Sequence, residues 1–149
     1  MIVLAVLVGA PLGARALGLA VDALDSWPAA VRAGLSAMFL FTSPAHCNAM
    51  RFDVARMMPP GIPRPMAMVD VTGACEILGA IGLPVPATRR IAAAALILFL
   101  AAVFPANVRA AREGLTIGGR SVTPLRWRLP MQLLFIGLTW WAGIAAAGR

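Results

Sequence analysis

The sequence predicts an all-α membrane protein, a transmembrane helical bundle, and three observations carry that reading. The 149 residues are 60% hydrophobic and only 13% charged, whereas soluble domains carry about 25% charged residues. The mean hydropathy is +0.84. The apolar residues gather into segments near the roughly 20 residues that a helix needs to cross a bilayer. Long stretches lack the polar face that a water-exposed helix of a small domain requires.

Five apolar segments follow in order. The first covers residues 2–21 and contains Pro11 and Arg15. It has no basic stretch ahead of its apolar run, so it reads as a membrane segment and not as a cleaved signal. The second covers 29–47, the third 66–83, the fourth 91–108 and the fifth 129–147. Their alanines and glycines permit close helix contact. Gly79 and Gly82 are read as positions where a neighbouring backbone approaches.

The connectors differ in kind. Residues 84–90, PVPATRR, form a short turn, which makes segments three and four an antiparallel hairpin. Residues 48–65 alternate Arg51, Asp53 and Arg56 with apolar side chains before Pro59-Pro60. An interfacial helix and an ordinary surface loop both fit that pattern. Residues 109–128 are rich in arginine, and Gly118-Gly119 marks a turn there.

The net charge is +7, and all thirteen basic residues are arginines. They sit between apolar segments and not along one amphipathic surface, which excludes nucleic acid as the expected partner. With five spans, eight arginines lie on the side of the 48–65 and 109–128 connectors and four on the other. The rule that cationic loops stay inside puts the N-terminus in the cytoplasm and the C-terminus outside. Trp27, Trp127, Trp140 and Trp141 flank spans as interfacial anchors. Cys47 and Cys75 have no ligand or redox spacing and are expected to be buried thiols.

Candidate functional residues emerge from depth. At about 1.5 Å of rise per residue, Asp70 lies roughly 6 Å and Glu76 roughly 15 Å into the third segment. His46, Asp70, Asn107 and Gln132, from four segments, then share one layer on the Arg-rich side. Convergence of polar groups from separate helices is what a pocket in a bundle requires. Glu76 is deeper, and an ionisable group there is costly. Arg15 is a candidate ion-pair partner, and Thr72, four residues upstream on the same face, a candidate hydrogen-bond donor. Glu76 reads either as a polar anchor between helices or as part of a proton, quinone or substrate site. Asp70 reads as a helix-start group neutralising an arginine, or as functional. His46, the sole histidine, can shuttle a proton or make a structural bond to Asp70 or to the 48–65 connector. Asn107 and Gln132 are expected to satisfy backbone groups near Pro105 or to contact a ligand. No metal spacing and no hydrolase motif is present, and no catalytic residue is assigned.

The chain resembles the DoxX family of small membrane proteins. The resemblance is carried by FLFTSPAH at 39–46, MMPPGIPRP at 57–65, VDVTGACEILGAIGLPVPATRR at 69–90, VFPANV at 103–108 and RLPMQLLFIGLTWW at 128–141. It implies a four-helix membrane core within residues 28–149, preceded by an additional N-terminal helix and connector in 1–27. The family's Gly-x-x-His-Phe helix end stands here as Ser43-Pro44-Ala45-His46-Cys47, in which only His46 agrees. The resemblance implies residence in a bacterial cytoplasmic membrane. It also implies an accessory role in a quinone-linked redox or oxidative-stress complex, with a soluble or membrane oxidoreductase as partner, a quinone as the candidate cofactor and a homo-oligomer as a further option. A small proton-coupled transporter and a structural membrane protein without catalysis are the competing functions.

Overall fold

The computed structural model describes residues 2–17 and 26–146. Five longer helices form the body: α1 (Ile2–Leu17), α2 (Trp27–Thr42), α5 (Pro65–Gly82), α6 (Arg89–Arg112) and α7 (Leu125–Trp140). Two short helices, α3 (Pro44–Cys47) and α4 (Arg51–Met57), lie between α2 and α5. A π-helical turn, Trp141–Ala145, extends α7.

The core forms where α2, α5, α6, α7 and the π turn face one another. Leu35, Met38 and Phe39 of α2 pack with Ala80 and Leu83, with Ala93, Leu96 and Leu100 of α6, and with Phe135 and Ala142. The helix period selects these residues. In α5 the buried positions are Val69, Gly73, Glu76, Gly79 and Ala80, one stripe of a 3.6-residue repeat. In α6 the stripe is Ala92, Ala93, Leu96 and Leu100. Gly79 receives the Leu96 side chain against its backbone, a side chain where the sequence suggests a neighbouring backbone. α1 packs on α2.

The second apolar segment does not run unbroken to Cys47. α2 stops at Thr42, and His46 belongs to the separate helix α3. The cause is local. Pro44 has no N–H to donate to the Leu40 carbonyl four residues back, and the Ser43 hydroxyl donates to that carbonyl instead, at 2.9 Å. The chain turns there and places His46 beside α5. The connector 48–65 contains a helix, α4, which ends where Met58 adopts extended backbone before Pro59.

Three further expectations are corrected. α6 continues through Pro105 to Arg112, well past residue 108. The described residues are not purely helical, because Thr116–Ile117 (β1) and Arg120–Ser121 (β2) pair as an antiparallel hairpin. Gly118 and Gly119 both have positive φ, the conformation that a two-residue hairpin turn demands. Cys47 and Cys75 are free and exposed, not buried. Residues 18–21 of the first apolar segment and residue 147 of the fifth fall outside the described part of the chain.

Candidate functional site

The end of the bundle where α2 finishes, α5 begins and α6 meets α7 holds a cavity of about 560 Å³. Phe39 and Met38 from α2, Phe99 and Leu100 from α6 and Phe135 from α7 give it an apolar interior. Met50, Val54, Met57 and Met58 from the α4 region and Ile117 from the hairpin line it as well. That cap is tied down at two places. The Gly118 N–H donates to Asp53 Oδ2 at 2.9 Å, and Arg109 Nη1 donates to the Met58 carbonyl. Methionine side chains adapt to varied apolar shapes, so the lining suits a bulky apolar group.

The polar lining falls into two clusters. The first joins α2, α3 and α5. Thr42 Oγ1 stands 2.5 Å from Glu76 Oε1, and His46 Nε2 stands 3.3 Å from Glu76 Oε2. Glu76 is 5% exposed, so its partners come almost entirely from the protein. Its Oε2 has no assigned hydrogen-bond donor, and the imidazole stands at ion-pair distance from it. The other ring nitrogen, Nδ1, is 3.1 Å from the Val69 carbonyl. A carbonyl only accepts, so Nδ1 carries a hydrogen and donates. Nε2 therefore faces Oε2, and a proton taken up on Nε2 makes an imidazolium beside Glu76. The Glu76 contact raises the His46 pKa above its ordinary value, against the opposing effect of burial.

Gly73 makes the His46 position possible. A Cβ at residue 73 would stand 2.7 Å from the His46 Cβ, well inside van der Waals contact. The α3 turn thus lies directly on the α5 backbone.

The second cluster joins α6 and α7. Arg128 Nη1 donates to Asn107 Oδ1 at 2.5 Å, and its Nε donates to the Thr123 carbonyl at 2.9 Å. Gln132 Nε2 donates to the Leu100 carbonyl at 2.5 Å. All three side chains line the cavity.

The cavity gathers five of the residues singled out from sequence: His46, Thr72, Glu76, Asn107 and Gln132. Asp70 does not join them. It pairs with Arg51 at 2.6 Å, with its side chain 59% exposed, and His46 bonds to the Val69 carbonyl and stands at ion-pair distance from Glu76 in its place. Thr72 does not support Glu76 either; its hydroxyl donates back to the Met68 and Val69 carbonyls of its own helix. The described partners of Glu76 are Thr42 and His46, not Arg15, which lies in the last turn of α1. Asn107 serves Arg128 in place of the backbone around Pro105. Sequence reading missed Thr42 and Arg128. Thr42 carried a usable signal, since it closes α2 directly before the Ser43-Pro44 break. Arg128 was read only as a topological charge.

The family described as Domain of unknown function (DUF8561) matches residues 35–143. The chain belongs to that family. The matched DUF8561 region contains both polar clusters and the whole apolar lining; α1 precedes the region. No curated protein and no solved structure matches the chain.

Proposed function

We propose that this DUF8561 protein is a membrane-embedded bundle of the DoxX type that serves as an accessory subunit of a quinone-linked redox complex. Two features support membrane residence. α5 and α6 are long and apolar enough to cross a bilayer, yet only 28% and 22% of their most apolar stretches are buried in the protein. A core helix of a water-soluble domain would bury most of that surface. Their outward faces instead carry Leu78 at 68% exposure, Ile91 at 75% and Leu98 at 71%, a surface suited to lipid and not to water. α2 and α7 complete the four-helix core. The arginine distribution supports a cytoplasmic face for the α4 and hairpin end, with the C-terminus outside.

The observation that carries the quinone reading is Glu76 Oε2, a buried acid atom with no assigned donor, on the wall of an aromatic and methionine-lined cavity. Apolar pockets with a few convergent polar groups are the usual form of a small-molecule site. The phenylalanine and methionine side chains would enclose the ring. His46–Glu76 would meet one polar edge, and the amide and guanidinium groups of Gln132 and Arg128 would supply further donors. A quinone supplies two-electron, two-proton chemistry when bound. His46 and Glu76 hold a transferable proton at that wall, and the electrons belong to a partner oxidoreductase.

Purification in mild detergent followed by solvent extraction tests this reading. Quinone in near-stoichiometric amount, reduced several-fold in Glu76→Gln and Phe99→Ala, is the expected result. Absence of both quinone and a co-purifying oxidoreductase overturns it. Proton flux into protein-loaded liposomes that disappears in Glu76→Gln, with no bound quinone, would favour the transporter.

A further inference from the structure

The opposite end of the bundle holds a second cavity of about 320 Å³, lined by Ser26, Pro28, Arg32, Arg89, Trp141 and Ala146. We propose that it is an oxyanion site that takes a phosphate group, either the phosphodiester of a lipid headgroup or free phosphate. The site is independent of the quinone reading, sharing no lining residue with the first cavity.

Two guanidinium groups open into this small space, and among the described residues lining it there is no carboxylate. Arg32 is only 8% exposed. Burying a cation is costly without a counter-charge. Its Nη1 donates to the Ala142 carbonyl at 2.9 Å, which satisfies one donor of five and none of the charge. Arg89 opens α6. Its Nη2 reaches the Pro84 carbonyl at a long 3.5 Å, and its Nε is buried without a partner. Two like charges facing one cavity repel each other unless an anion lies between them. A phosphate, with several acceptor oxygens and at least one full negative charge, pairs with both forks at once.

The surrounding elements suit the same ligand. Ser26 caps α2 by accepting from the Ala29 N–H at 3.3 Å, which leaves its own hydroxyl hydrogen to donate. The first turns of α2 and α6 border the cavity, and helix N-termini favour anions. The Ala142 carbonyl that orients Arg32 belongs to the π-helical turn Trp141–Ala145, a helix irregularity often found at functional sites. Trp141 adds an indole of the kind that sits at headgroup level in membranes.

Native mass spectrometry of the full chain in mild detergent tests the proposal. Phosphatidylglycerol and, in a separate arm, inorganic phosphate are titrated into wild type, Arg89→Gln, Arg89→Lys and Arg90→Gln. Saturable binding of one ligand per chain is expected. Arg89→Gln should weaken it about tenfold or more, and Arg89→Lys, which keeps charge but loses the planar fork, should fall between. Arg90→Gln makes the same charge change beside the cavity without lining it and should leave binding unchanged. Phosphatidylglycerol binding that inorganic phosphate cannot displace identifies the lipid source; displacement at millimolar phosphate identifies the free ion. Binding of neither probe to wild type overturns the proposal. Equal weakening by Arg89→Gln and Arg90→Gln also overturns it, since general surface charge would then explain the affinity. If Arg89→Gln does not fold, the comparison of Arg89→Lys with Arg90→Gln decides in the same way.

Discussion

His46 Nε2 lies 3.3 Å from Glu76 Oε2, and the two residues reach each other from different helices because Pro44 interrupts the first of them. His46 is anchored through Nδ1 to Val69, so the ring cannot turn away without losing that bond. The pair is therefore fixed in place, with Thr42 beside Glu76 Oε1 and both residues on the cavity wall.

The pair makes a pH prediction with a defined sign. The folded pKa of His46 is raised, first by its contact with Glu76. Its contribution to stability is thus fully present below the unfolded value of about 6.5 and is lost as pH rises through the higher folded value. Thermal unfolding in detergent should show greater stability at pH 6 than at pH 8, and Glu76→Gln should flatten that difference. Because His46 is the only histidine, an imidazole NMR titration reads the site directly. The wild-type midpoint should lie above 6.5 and fall in Glu76→Gln.

Thr42→Val keeps the side-chain shape and removes the hydroxyl beside Glu76 Oε1. A buried carboxyl oxygen then loses its partner, a change worth about 1–3 kcal/mol. Thr42→Ser should recover most of it. Chemical denaturation compared across the three proteins measures both effects. Equal stability of Thr42→Val and wild type would mean that the hydroxyl serves only the helix carbonyls of Met38 and Phe39.

Gly73→Ala should displace α3. The added Cβ would stand 2.7 Å from the His46 Cβ, and a main-chain-proximal carbon cannot rotate out of the way. Overpacking of this kind costs about 1–3 kcal/mol. The same titration should show the His46 midpoint moving back towards 6.5, as the ring is pushed off Glu76. Gly137→Ala, where a Cβ meets nothing within 4 Å, serves as the control: it should leave the midpoint unchanged and, by helix propensity alone, raise stability by about 0.5–1 kcal/mol.

Asn107→Leu should act through Arg128. Loss of the Oδ1 acceptor, now 2.5 Å from Nη1, leaves the half-buried guanidinium with the Thr123 carbonyl as its remaining described partner. Stability should fall by about 1.5–3 kcal/mol, the range for a hydrogen bond to a charged group. Asn107→Leu combined with Arg128→Met should recover part of the loss, since removing both partners avoids the unpaired charge. A double-mutant cycle by denaturation provides the measurement.

The sequence by itself determined the helical segments, their outward apolar character and the turn residues between them. Hydropathy, proline position and the Gly118-Gly119 pair are local properties, and each acts within a few residues of where it is written. It also located most of the cavity's polar groups, because the ends of the apolar segments put His46, Asn107 and Gln132 on one side of the bundle. Only the tertiary structure decided how they pair. Whether Glu76 meets Arg15, Thr72 or His46 depends on the rotation of α5 about its axis and on a chain break at Ser43-Pro44 that moves His46 onto a separate helix. Whether Asp70 faces the cavity or solvent depends on the same rotation, since Asp70 and Glu76 are six residues apart and about 120° separate them around a helix. The Asn107–Arg128 bond joins residues 21 positions apart on neighbouring helices. Such pairings are set by the packing of whole faces, which no local pattern in the sequence encodes.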